Sequence, residues 1–114
     1  MPYLRIQTNE SMDEAGARRL ITRASALVAE QLGKPERYVM VALEPPVPIL
    51  FAGDNSPAAY LELKSIGLAE GQTPALSKAL CALCSEMMGI NQDRIYIEFS
   101  NAPRKMWGWN GATF

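Results

Sequence analysis

Histidine is absent from this chain, so any proton transfer near neutral pH must use a group other than the side chain that most often performs it. Cysteine is scarce. Cys81 and Cys84 are too few for a disulfide scaffold, and with no second pair and no histidine they cannot complete a zinc site. No apolar run approaches the ~20 residues of a membrane span. Met1–Ile6 has neither a basic nor an apolar leader segment. A reducing cytoplasm is therefore expected and a membrane partner is not, while a leaderless export route would leave no trace. Neither charge sign dominates: 11 basic and 12 acidic residues are mixed along the chain, with net charge −1. No basic block appears, which argues against a nucleic-acid partner. What is present is a 48% hydrophobic chain of 114 residues, enough for one compact domain spanning 1–114.

Tyr3–Thr8 alternates, with Leu4 and Ile6 on one face and Arg5 and Gln7 on the other, as a strand does. Ser11 with Glu14 matches a capping box and predicts a helix over Met12–Leu32. Its stripe is Leu20, Ile21, Ala24, Leu27, Val28 and Leu32, and Gly33 stops it. Tyr38–Leu43 is nearly unbroken apolar, which predicts a strand covered on both faces. Three prolines in Glu44–Pro48 rule out a central strand, and Ile49–Phe51 reads as a short edge strand. The layout then repeats. Ala59–Ile66 alternates, Thr73-Pro74 reads as an N-cap with proline at the first helical position, and Leu76, Leu80, Leu83 and Met87 form a stripe ended by Gly89. Arg94–Phe99 is a strand with Ile95, Ile97 and Phe99 on one face and Tyr96 and Glu98 on the other. Both helix exits read glycine, spacer, acidic residue, arginine, strand. Two βαβ units in halves of about 1–56 and 57–114 should share a four-stranded sheet, with both helices on one face: an α+β sandwich. The uncovered face would expose an apolar patch, which calls for an oligomer.

Met1-Pro2 has two readings. Proline merely follows an initiator, or removal of Met1 leaves a secondary amine at the chain end. An α-amine has a pKa of roughly 7.7–8.0, and burial beside a cation lowers it further. Lys34 is either a cation at a helix C-terminus or an ammonium that holds a carboxylate and depresses such an amine. Tyr96 and Glu98 either pack at an interface or line a pocket. The tail holds Trp107 and Trp109 two residues apart, to pack on a neighbour or to wall an apolar pocket. Cys81 and Cys84 lie mid-helix, where packing is the reading.

Met1-Pro2 with Thr8-Asn9, Gly33-Lys34-Pro35 with Tyr38, Ser65-Ile66-Gly67, Ser77-Lys78 with Leu80-Cys81, Asp93–Ile97, and Gly108-Trp109-Asn110 with Thr113-Phe114 occur in order over essentially the whole chain. On these blocks the chain resembles the family of macrophage migration inhibitory factor and D-dopachrome tautomerase. The resemblance implies a homotrimer with sites at subunit interfaces. It also implies keto–enol tautomerase activity toward phenylpyruvate-like or dopachrome-like acids, without cofactor or metal. Carried over by position, Pro2 is the base and acid, and Lys34 and the Ile66 N–H hold the substrate, with Ser65 beside them. Tyr96 and Glu98 come from the adjacent subunit, and Tyr38, Trp107, Trp109 and Phe114 line the pocket. A cytokine-like protein that binds a receptor is the alternative. Three departures stand out. Position 98 is glutamate where the migration inhibitory factor has an amide, and position 107 is tryptophan where it has a smaller aliphatic residue. Pro57–Leu61 replaces the stretch that carries its CxxC, so the thiol–disulfide activity proposed for that protein does not transfer.

Overall fold

Tyr3–Thr8 alternates buried and half-buried side chains along its whole length, and the strand it forms, β1, is an inner strand of the main sheet. The computed structural model describes residues 1–114. After β1 come α1 (Glu14–Leu32), β2 (Met40–Leu43), β3 (Ala59–Ile66), α2 (Thr73–Met88), β4 (Ile95–Ala102), and a hairpin of β5 (Gly108–Trp109) and β6 (Ala112–Thr113). The sheet order is β2-β1-β3-β4, with β1 parallel to β2, β3 parallel to β4, and the two inner strands antiparallel. Each parallel pair needs a crossover, and a helix supplies it in both cases. The expected α+β architecture is therefore observed. Leu4 and Ile6 of β1, with Leu61 and Leu63 of β3, meet Leu20, Ala24 and Val28 of α1 and Leu76, Leu80 and Leu83 of α2 in one core. Burial of each such leucine contributes about 1.5–3 kcal/mol. Neither helix is long and apolar enough to cross a membrane.

Several local expectations shift. The N-cap of α1 is Asp13, not Ser11: its side chain accepts the Gly16 N–H at 2.7 Å, so the helix starts at Glu14. Thr73 lies inside α2, because a 3-10 turn, Glu70–Gln72, feeds directly into the helix. Tyr38 belongs to a 3-10 turn, Glu36–Tyr38, that precedes β2. The apolar β2 is not covered on both faces but forms an edge strand, with Met40 65% exposed. Ile49–Phe51 forms no strand. Phe51 makes only a single bridge to Asp54 across a tight turn. Arg94 pins that loop by donating to the carbonyls of Phe51, Asp54, Ser56 and Pro57 at 2.9–3.3 Å.

The centre of the helix-free face is polar. Arg5 pairs with Glu44 at 2.6 Å and Glu62 at 3.2 Å, Gln7 donates to Glu44 at 3.1 Å, and Tyr60 donates to Glu98. Met40 and Tyr96 share this face on its two edge strands, by their pairing with Tyr3 and Tyr60, as expected, while Leu50, Met106 and Trp109 lie in the proline-rich loop and the tail. Cys81 and Cys84 are free. Burial pushes the Cys84 thiol up to about 12, consistent with packing rather than redox chemistry.

Candidate active site

Lys34 owes its position to the end of α1. Gly33 turns left-handed at φ 63°, its N–H reaches Glu30 O at 3.2 Å, and the Lys34 N–H reaches Ala29 O at 3.0 Å. The orphan carbonyls of the last turn are thereby satisfied, and the chain leaves the helix abruptly. The Lys34 ammonium then donates to the Ile66 carbonyl at the end of β3. Ser65, fully buried, donates to the same oxygen at 3.3 Å.

Pro2 enters from the other direction. It is fully buried, and its carbonyl accepts the Met40 N–H at 3.0 Å, which fixes the chain start against β2. The α-amine of Met1 stands beside Lys34. Burial first, then the Lys34 charge and its hydrogen bond, hold this amine below its ordinary 8.0. Both causes disfavour the ammonium form.

The tail closes the third side. Asn110 and Gly111 adopt positive φ of 53° and 77°, the pair a two-residue hairpin turn requires. The hairpin returns the chain so that the Phe114 N–H reaches Trp107 O at 3.2 Å. Phe114 stacks on Trp109 with centroids 5.6 Å apart, and Tyr38 meets Trp109 edge-on at 5.9 Å. The result is a cleft of about 530 Å³ whose lining includes Met1, Pro2, Tyr38, Trp107, Trp109 and Phe114. A larger concavity of about 870 Å³ on the outer side of α1 is lined by Glu14, Arg18, Arg19 and Arg23, solvated charges far in sequence and chemistry from these groups. No cluster of histidine, cysteine or carboxylate side chains could hold a metal ion.

Tyr96 and Glu98 are not brought to this cleft within one subunit. Both lie on β4, at the opposite edge of the sheet from β2. Tyr96 packs on Phe51, centroids 4.7 Å apart, and remains 65% exposed. Glu98 accepts from Tyr60, whose hydroxyl is pushed up to about 12 by that bond first and by desolvation second. The cleft also contains residues that sequence reasoning missed, Lys64 and Arg37 foremost. Alternation in β3 puts Lys64 on the helix-free face. Its proximity to the chain start, however, follows from the Tyr3–Lys64 pairing, which lies outside any local pattern.

The family model for macrophage migration inhibitory factor matches residues 1–114. The chain is 35% identical over 118 residues to the macrophage migration inhibitory factor of Meriones unguiculatus, covering 100% of this chain and 99% of that one. A homologue of that factor from Prochlorococcus marinus superposes with a TM-score of 0.93 at 42% identity, covering 98% of each chain. A protein crystallised after inactivation by 2-oxo-3-pentynoate superposes with a TM-score of 0.86 at 28% identity, covering 96% of this chain and 93% of the other.

Proposed function

This chain belongs to the macrophage migration inhibitory factor family, and from that premise we propose that it is a keto–enol tautomerase of phenylpyruvate-like or dopachrome-like acids, with the Pro2 amine as base and acid. The observation that carries this reading is the depressed chain-end amine beside Lys34, at a cleft with an aromatic wall. With Met1 removed, the amine falls on Pro2. The neutral amine takes a proton from the carbon next to the keto group, and the electron pair of the broken C–H bond moves onto the carbonyl oxygen. Lys34 has three donors and spends one on Ile66, so two remain for the substrate carboxylate or the developing oxyanion. The ammonium of Pro2 then returns its proton to the oxygen, completing the enol.

The proposed assembly is a homotrimer. The β2 edge beside Pro2 is apolar and open, while the β4 edge carries Tyr96 and Glu98. Two different edges that complement each other make a heterologous contact, which closes into a ring of three when each copy is rotated by a third of a turn from the last. Tyr96 and Glu98 would thus reach the cleft of a neighbouring copy. The name of the relatives supports a second reading, a cytokine-like protein bound by a receptor. Receptor binding that survives Pro2→Gly would favour it.

The test uses 2-oxo-3-pentynoate. Its alkyne is conjugated to a keto group and captures a neutral amine by conjugate addition. A carbon–nitrogen bond forms, one alkyne π bond breaks, and the amine proton passes to carbon. Processed protein should gain one reagent mass per subunit, mapped to Pro2, with loss of phenylpyruvate tautomerisation. Labelling at Lys34, or none at all, counts against Pro2 as the reactive amine.

A further inference from the structure

The arginines of this protein differ in how well they are partnered. Arg5, Arg18 and Arg23 each pair with a carboxylate, and Arg94 donates to four carbonyls. Arg19, Arg37 and Arg104 have neither an ion-pair nor a hydrogen-bond partner, and of these three only Arg37 lines the cleft that contains Pro2. No aspartate or glutamate side chain lines that cleft, and the chain-end carboxylate of Phe114 makes no ion pair with Arg37. The Arg37 guanidinium lies 4.8 Å from the centroid of the Tyr38 ring. Stacking on a ring constrains the fork while leaving its in-plane N–H groups free for a planar anion. Tyr38 continues through Trp109 to Phe114, so the arginine sits at one end of a continuous aromatic wall. Lys64, the other cation of the lining, is less available: it lies 3.6 Å from Glu62 in a charge-balanced network with Arg5 and Glu44.

Resting on the tautomerase reading, we propose that Arg37 is a specificity residue that binds a second anionic group on the substrate. The preferred class is an aryl keto acid with a carboxylate on the distal end of its ring. One carboxylate goes to Lys34 at the reacting end, the ring lies along Tyr38 and Trp109, and the far anion meets the Arg37 fork.

The experiment compares kcat/KM for phenylpyruvate and 4-carboxyphenylpyruvate in processed wild-type protein, Arg37→Gln, Arg37→Lys and Lys64→Gln. Wild type should prefer the dicarboxylate, and Arg37→Gln should lower that preference about tenfold, as loss of a charge-assisted pair implies. Arg37→Lys should fall between them, since it keeps the charge and loses the fork. Lys64→Gln should move the ratio less. A wild-type ratio at or below one, or a ratio unchanged in Arg37→Gln, overturns the proposal. Quenching of Trp107 and Trp109 fluorescence by phenylacetate and 4-carboxyphenylacetate separates this outcome from failure of the tautomerase reading. If neither keto acid is turned over, tighter binding of the dicarboxylate that depends on Arg37 still supports the proposal. Equal binding, or binding indifferent to Arg37, overturns it.

Discussion

The two edges of the sheet are built alike and finished differently. Each follows a helix closed by a left-handed glycine, Gly33 or Gly89, and a 3-10 turn three residues later. Each then presents one large side chain at the second residue after that turn, Met40 on β2 and Tyr96 on β4, both 65% exposed. Around Met40 lie Pro2, the Met1 amine and the aromatic tail. Around Tyr96 lie Phe51, Glu98 and the loop held by Arg94. On the proposed reading, one edge carries the base and an aromatic wall without the residues expected opposite them. The other carries those residues without a base. The difference is that within a subunit two inner strands keep the two kinds of edge apart, so the proposed site would need one edge from each of two copies.

The largest effect should come from the chain start. Protein that retains Met1 has an amide at Pro2, with no basic lone pair, and should tautomerise phenylpyruvate ~10³-fold more slowly than processed protein. The two forms are separated by intact mass, and equal rates would remove Pro2 from the mechanism. The comparison of edges is sharpened by complementation. Tyr96→Ala should lose about tenfold or more in kcat/KM through misplacement of substrate. The complementary variant is protein that retains Met1, which lacks the basic amine at Pro2, since Pro2→Gly would still present a primary one. If the edges of different copies meet, mixing the two variants after dissociation and reassociation restores active sites, each built from one intact edge of either parent. Sites confined to one subunit would show no recovery. Sedimentation should give three times the 12.5 kDa subunit mass.

Smaller effects concern acidity. The Met1 amine is depressed by burial first and by Lys34 second, and a processed Pro2 amine is expected to be depressed by the same two causes. A base with a lowered pKa is neutral at higher pH, so activity should rise with pH through a midpoint below 8.0. Lys34→Gln removes only the second cause, so the midpoint should move up without reaching the value of a free amine. The rate at saturating pH would fall as well, since an oxyanion donor is lost. The smallest effect is at Glu98. Its carboxylate, delivered by a neighbour, would favour the charged amine, but Tyr60 already engages it. Glu98→Gln should raise kcat/KM for phenylpyruvate about threefold, the scale of an exposed charge interaction. An unchanged or lower rate would show that Tyr60 keeps Glu98 from acting on the amine.

Sequence alone determined whatever depends on neighbours a few residues apart. Alternation in Tyr3–Thr8 and Ala59–Ile66, the leucine stripes of the two helices, and the stops at Gly33 and Gly89 are local periodicities, and they placed the sheet and its helical cover correctly. Residue chemistry also drew attention to Pro2, Lys34, Tyr96, Glu98, Trp107 and Trp109, while Tyr38 and Phe114 entered only through the family resemblance. Tertiary structure alone decided which strands lie at the edges. An apolar run such as Met40–Leu43 is equally suited to the middle of a sheet or to an edge awaiting another chain. It also decided the pairing of Tyr3 with Lys64, the bond from Tyr60 to Glu98, and the choice of Arg94 rather than Arg37 to hold a loop. These contacts join residues 37 or more positions apart, where register and chain return set who meets whom, and no short-range pattern encodes that choice.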